Sequence, residues 1–286
     1  SISYTFTYLK PYIMKSNNIV DNPDSWDEAS EEYASKIAPT IIDQFTPEFV
    51  EGLNTGSSTI ALEVASGTGA LTAALAPKVR SLLATDFSPK MLAVNQRLTR
   101  QAGLNNIEYK VMDGQALDLD DCTFDRAACC FGLILFPDQA RGFSELYRVL
   151  KPEGRAMVSG WAGPDKFESF GMFVQAIKMA FPDLPPAPPA PIFSLASLDN
   201  LEKDMKIAGF KEVEVKYVSR DMEVTDFDEL WAILTAGAPQ STALFQRLGN
   251  GGKEKVQDAL KKLIEERFGN GPIVLTNVAT VAYGNR

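Results

Sequence analysis

Residues 61–72 read ALEVASGTGALT. An apolar strand carrying an acid near its end, Glu63, runs through Gly67, Thr68 and Gly69 into a helix. Glycine in such a turn lets a ligand approach the backbone at a helix N-terminus, where unpaired amides point outward. A nicotinamide fingerprint, G-x-G-x-x-G, would have its third glycine where Thr72 stands and its acid after the glycines rather than before them. The stretch therefore reads as a ligand-binding turn that departs from that fingerprint.

The texture on either side is regular. Apolar runs at 59–64 (TIALEV), 81–85 (SLLAT), 107–112 (IEYKVM), 126–131 (RAACCF) and 155–161 (RAMVSGW) are interleaved with helical spacings at 69–76, 89–102 and 138–150. That alternation predicts βαβ units and a parallel, doubly wound α/β sheet. At 182–191, PDLPPAPPAP places six prolines in ten residues, a stiff segment that reads as a linker or as a wall over a site. A helix at 197–208 ending on Gly209, a strand at 212–219 (EVEVKYVS), helices at 226–236, 240–248 and 253–268, and a strand from 273 (IVLTNVATVAY) follow. No internal repeat is visible.

Upstream, residues 1–20 contain no acid, and Ile2, Tyr4, Phe6 and Tyr8 alternate with polar residues. The segment is either a loose tail or a strand that pairs with the body or with another copy of the chain. Trp26, Ala29, Tyr33 and Ile37 have amphipathic helical spacing, with Ser25 as cap and Glu28 completing a capping box. Pro39 and Pro47 then punctuate a short helix at 41–45 and a stretch reaching Leu53.

Composition excludes much. The 286 residues include no histidine, so there is no Ser-His-Asp triad, Cys-His dyad, His-bound metal or imidazole base. A net charge of −9 opposes nucleic acid and anionic membrane surfaces. The longest apolar run, 127–136, is too short to insert into a bilayer, and no signal peptide opens the sequence. Three cysteines without a CxxC pair suggest neither a disulfide framework nor a zinc site, and fit a reducing, cytoplasmic setting.

Three further positions carry chemistry. Asp86, closing the second strand in LLATDFSPKML, is placed either to accept both hydroxyls of an adenosine ribose or to cap the helix opening at Pro89. Asp113 in VMDGQAL is placed either to take an adenine amino proton, with Gly114 and Gln115 offering amides to the ring, or to make a turn. Phe87 and Met91 either sandwich the adenine or pack as core. Cys129 and Cys130 point to opposite faces of a strand, cannot chelate jointly, and read as small buried hydrophobes.

With FDRAACCFGLILFPDQARGFSELYRVLKPEGRAMVSGW, these residues resemble the class I S-adenosylmethionine-dependent methyltransferases, in the small-molecule branch that includes ubiquinone and menaquinone C-methyltransferases. The likeness covers about residues 25–165, and RVLKPEGR is its strongest tag. It implies a mostly parallel, seven-stranded Rossmann-like sheet in one domain over 25–286, after a tail or extra strand at 1–24. That domain would comprise a helical lid at 25–53, a donor-binding core at 59–162, acceptor-side helical insertions and strand six at 163–272, and a final strand at 273–286. It further implies that Glu63 holds the methionine amino group, that Gly67 and Gly69 contact the donor, and that Asp86 and Asp113 bind ribose and adenine. Cys130 and Phe131 would lie near the activated methyl.

Ala65 stands at the first glycine of the family's loop, and Leu135 where the quinone enzymes often carry asparagine. The acceptor site would lie among Tyr33, Phe131, Trp161, the wall ending near Phe193 and the helices around Trp231. The implied reaction moves a methyl group from S-adenosylmethionine to a small apolar or aromatic acceptor, leaving S-adenosylhomocysteine, without a metal. A homodimer through the N-terminal segment is a further expectation. A nicotinamide oxidoreductase and a donor-binding protein without catalysis are the competing readings.

Overall fold

The computed structural model describes residues 21–185, 190–235 and 239–286. The alternating segment at 1–20, with the pairing expected of it, and the middle of the proline-rich stretch lie outside the described residues.

The described chain opens with helix α1 (Pro23–Glu32). Its cap is Asn22, whose side chain accepts from the Asp24 amide, rather than Ser25, because Pro23 and Asp24 already lie inside the first turn. Nor does Pro39 break the chain's helical course. It sits within a wide, π-type segment, Tyr33–Ile42, whose broader turns relieve the collision between the proline ring and the preceding carbonyl. A tight turn at Asp43–Phe45 then leads into α2 (Thr46–Gly52).

The core alternates as expected: β1 (Ile60–Val64), α3 (Ala70–Leu75), β2 (Ser81–Asp86), α4 (Pro89–Gln101), β3 (Ile107–Val111), β4 (Phe124–Cys129), α5 (Gln139–Val149) and β5 (Leu150–Trp161). After it come α6 (Glu168–Ala180), α7 (Leu198–Ile207), β6 (Lys211–Val224), α8 (Phe227–Thr235), α9 (Pro239–Leu248), α10 (Gly252–Phe268) and β7 (Ile273–Asn285). β5 begins before the apolar run at 155, because 151–154 join the strand through an irregular register in which Glu153 adopts φ 65°. β6 runs beyond the expected 212–219 because β7 pairs with it from Lys211 to Val224.

The seven strands form one sheet in the order β3-β2-β1-β4-β5-β7-β6. Strands β1 to β5 are mutually parallel, and β7 is antiparallel to both neighbours. β1, β2 and β4 are buried on both faces, which is why they read as continuous apolar runs, whereas the edge strand β3 is largely exposed. The chain leaves β1 for β2 and β3 on one side, then crosses back to β4 on the other. That reversal opens a crevice at the carboxyl ends of the strands, where open α/β sheets bind ligands. Phe45 and Phe49, fully buried, carry the N-terminal helical segment into the core behind this crevice. No helix among the described residues is long and apolar enough to cross a membrane.

Candidate active site

The turn after β1 forms the floor of a crevice of about 1050 Å³, counting its open mouth. Three residues in five take left-handed backbone angles: Ala65 (φ 55°), Gly67 (φ 52°) and Gly69 (φ 98°). At Ala65 the Cβ makes that conformation costly, of order 1–2 kcal/mol. Such strain persists where the surroundings impose it. The two glycines have different reasons to be there. Gly67 faces open space and lines the crevice, so its backbone is bare on that side. Gly69 does not line the crevice: a Cβ there would lie 2.4 Å from Asn95 Oδ1, so this glycine admits α4, not a ligand.

Behind the turn is a buried polar chain. The Thr72 hydroxyl donates to Glu63 Oε2 at 2.6 Å, and Asn95 Nδ2 donates to Thr72 Oγ1 at 2.9 Å. Thr72, the residue that departs from the nicotinamide fingerprint, is thus the hydrogen-bond donor that positions Glu63. Burial pushes the Glu63 carboxyl up to about 8; the Thr72 bond opposes this and the nearby charge of Asp86 adds to it. Sequence reasoning missed Asn95, although a polar residue on the buried face of an amphipathic helix was the available signal.

Asp86 closes β2 with both oxygens engaged, Oδ2 accepting from the Gly67 amide at 2.8 Å and Oδ1 from the Ser88 amide at 2.9 Å. The helix cap is Ser88, whose Oγ accepts from the Met91 amide, so Asp86 lines the crevice instead of capping α4. A carboxylate has about four lone-pair sites, so these amides do not exhaust its accepting capacity toward the crevice. Burial raises Asp86 to about 6, against the lowering effect of the Ser88, Gly67 and Phe87 amides. Asp113 makes the expected turn, its Oδ1 accepting from the Gln115 amide, and it lines the crevice with Gly114 and Gln115. Phe87 and Met91 line the same region, Met91 also being core.

At the inner end, Tyr33 and Trp26 of the lid segment meet edge to face, ring centroids 6.2 Å apart, and both line the crevice with Ile42, Cys130, Phe131 and Phe136. Burial pushes the Tyr33 phenol and the Cys130 thiol well above their ordinary values, and Cys129 up to about 12, so none of them is poised to ionise. Phe131 takes φ 56° and is held by its amide donating to Ser159 Oγ at 3.0 Å.

The expected acceptor wall is corrected. Trp161 lies behind Phe131, stacked at 4.0 Å between centroids, and stacks in turn on Phe167 at 4.4 Å. Phe193 packs on Phe167 and Phe170, and Trp231 packs with Phe173, Phe227 and Phe245. Trp161, Phe193 and Trp231 do not line the crevice, because each spends its apolar area on other rings. The crevice is lined instead by Leu135, noted in the sequence only for standing at the family's asparagine position, and by Ile42, Phe136 and Pro137, which the sequence did not single out. Phe136 is seated by two glycines: a Cβ on Gly114 or Gly142 would lie 2.5 or 2.7 Å from its ring.

Residues 61–154 match a family model described as a methyltransferase domain. A demethylmenaquinone methyltransferase of Clavibacter sepedonicus is 40% identical over 103 residues, 36% of this chain and 41% of the relative. A ubiquinone/menaquinone biosynthesis C-methyltransferase, UbiE, of Hydrogenovibrio crunogenus is 37% identical over 114 residues, 38% of this chain and 44% of the relative. The chain thus spans less than half the length of these curated relatives. The solved phosphoethanolamine N-methyltransferase 2 of Haemonchus contortus, in complex with phosphomonomethylethanolamine and S-adenosylhomocysteine, shares the fold. Its TM-score is 0.56 at 18% identity, over 94% of this chain and 59% of that one. The matched residues run from β1 into β5 and include the glycine turn, Glu63, Asp86 and Asp113. Over residues 61–154 the chain is thus similar to a methyltransferase domain, and its curated relatives and its fold are those of S-adenosylmethionine-dependent methyltransferases.

Proposed function

We propose that this protein transfers a methyl group from S-adenosylmethionine to a small acceptor of apolar or aromatic character that bears no negative charge. One observation carries the reading: among the described residues, four carboxylates, Asp21, Glu63, Asp86 and Asp113, line the crevice and no lysine or arginine does. The donor is cationic at its sulfonium and its ammonium, and such a lining attracts it. A nicotinamide dinucleotide would bring a pyrophosphate against four acids with no base among the described lining residues to receive it, and an anionic acceptor would meet the same field. When bound, the donor supplies an already activated methyl group.

The residues have separable tasks. Glu63 pairs with the ammonium, Asp86 accepts from the ribose hydroxyls, Asp113 from the adenine amino group, and Phe87 with Met91 encloses the ring. Gly67 allows close approach of the backbone. Trp26, Tyr33, Ile42, Phe131 and Phe136 exclude water and orient the acceptor, which is where a methyl transfer gains most of its rate. With Tyr33 and Cys130 held protonated, the acceptor ionises without a protein base, and the inflection of rate with pH should follow the acceptor's own pKa. Leu135 at the family's asparagine position supports an acceptor other than the quinones named for the relatives.

Calorimetric titration with S-adenosylhomocysteine and with NADH tests the donor. Saturable binding of the first alone is expected; the reverse result would transfer the site to hydride chemistry. Incubation with labelled donor and a fractionated metabolite extract then tests turnover, and binding without any labelled product would favour a non-catalytic binder.

The pH dependence has a definite sign. Glu63 and Asp86 must be ionised to hold the ammonium and both ribose hydroxyls, and in the free protein burial keeps them protonated up to about 8 and about 6. Affinity for S-adenosylhomocysteine should therefore rise from pH 5.5 to pH 8 with release of protons, seen as a dependence of the calorimetric heat on the buffer's ionisation enthalpy. Flat affinity, or proton uptake, would remove both carboxylates from these roles.

A further inference from the structure

Asp27 ties the lid helix to the edge of the crevice. Asp27 of α1 places Oδ1 where it accepts from two donors of the turn that opens α4: Ser88 Oγ at 2.5 Å and the Lys90 amide at 3.0 Å. Ser88 has a single hydroxyl proton. Because the Met91 amide donates into Ser88 Oγ at 3.1 Å, that proton is free to point at Asp27, and the direction of each bond is fixed. The amide of the same serine donates to Asp86 Oδ1 at 2.9 Å. Lid, turn and Asp86 thus form one connected chain, Asp27 to Ser88 to Asp86, that brackets the edge of the crevice between Trp26 and Met91.

We propose that Asp27 is a positioning residue for the donor site, clamping the lid helix to the turn that carries Asp86 so that Trp26 and Asp86 close on the same ligand. The inference rests on the donor reading above. It goes beyond it in giving a role to a residue that does not itself line the crevice.

Ser88 is fully buried, so its hydroxyl loses a partner without replacement if Asp27 is removed. A carboxylate at the first turn of α4 also meets the positive end of that helix, which offsets its repulsion from Asp86. The other tie between the two helices is of a different kind. Arg97 reaches Glu31 at 2.7 and 2.8 Å, but the two side chains are 47% and 71% exposed, so water screens the pair. Docking of α1 in general can therefore be separated from the clamp.

The experiment compares Asp27→Ala, Asp27→Asn and Glu31→Ala in the full chain by calorimetry with S-adenosylhomocysteine, with thermal melts alongside. Alanine keeps the propensity of α1, so Asp27→Ala should remain folded and bind about tenfold more weakly. Asp27→Asn retains an oxygen that accepts from both donors and should stay within about twofold of the parent, as should Glu31→Ala. A purely structural role would leave one further readout unmoved. Asp27 is a negative neighbour of Asp86, so Asp27→Asn should shift the lower pH inflection of binding downward. Glu63 on β1, Tyr33 in the lid segment and Cys129 on β4, the other titratable groups coupled to Asp86, are unchanged.

The clamp is overturned by parental affinity in Asp27→Ala, by equal losses in Asp27→Ala and Glu31→Ala, by failure of asparagine to rescue, or by an unmoved inflection in Asp27→Asn. The last two outcomes need only the asparagine variant and hold even if Asp27→Ala does not fold. Absence of binding by the parent protein would instead overturn the donor reading, and this inference with it.

Discussion

Valine at position 69 should cost the protein about 4 kcal/mol, the sum of a left-handed backbone that a β-branched residue resists and the overpacking of a filled site. The melting temperature should fall by about 10 °C, and donor binding should be lost with the shape of the turn. The cause is geometric. Gly69 stands at φ 98°, and a side chain would drive into Asn95, which is fully buried and already donates to Thr72. Moving Asn95 would disturb the hydroxyl that holds Glu63, so damage on the hidden side of the turn reaches the crevice through two hydrogen bonds. Thermal melts with calorimetry check this. A variant that melts like the parent yet fails to bind would mean instead that position 69 faces the ligand.

Asp86→Ala should weaken S-adenosylhomocysteine at least about tenfold, since hydrogen bonds to a charged acceptor are worth a few kcal/mol and the proposed role of Asp86 is to accept them from the ribose. The same substitution strands the amides of Gly67 and Ser88, which both donate to this carboxylate. Part of the loss therefore comes from a slackened turn, and the variant should also melt below the parent. Parental affinity in a folded Asp86→Ala protein would remove Asp86 from the site.

The sequence was legible where local chemistry and position coincide. Strands buried on both faces announce themselves as apolar runs, and an acid or glycine at such a strand's end falls at the sheet's reversal point. Glu63, Gly67 and Asp86 could be placed for that reason, and all three line the crevice, as does Asp113 after the exposed edge strand β3. What could not be read depends on distant parts of the chain. Trp161 looked like an acceptor contact because it ends β5, yet Phe131 lies over it. Phe136 became a wall residue only because Gly114 and Gly142, 28 residues apart in sequence, leave room for its ring. Pro39 looked like a helix stop because the common helix cannot hold it, and the wider turns that do have no signature of their own.

The position of β7 bears on how this chain is made. It lies between β5 and β6, yet it is synthesised after both and after three helices. Until the ribosome has passed Ile273, β5 lacks its antiparallel neighbour and β6 lacks its one neighbour among the described strands. A nascent chain at that stage exposes unpaired backbone on both, the kind of edge that captures other strands. Halted synthesis or cleavage just before β7 would leave a crevice with every proposed donor contact present on a sheet that cannot close, and such fragments should aggregate where the completed protein does not.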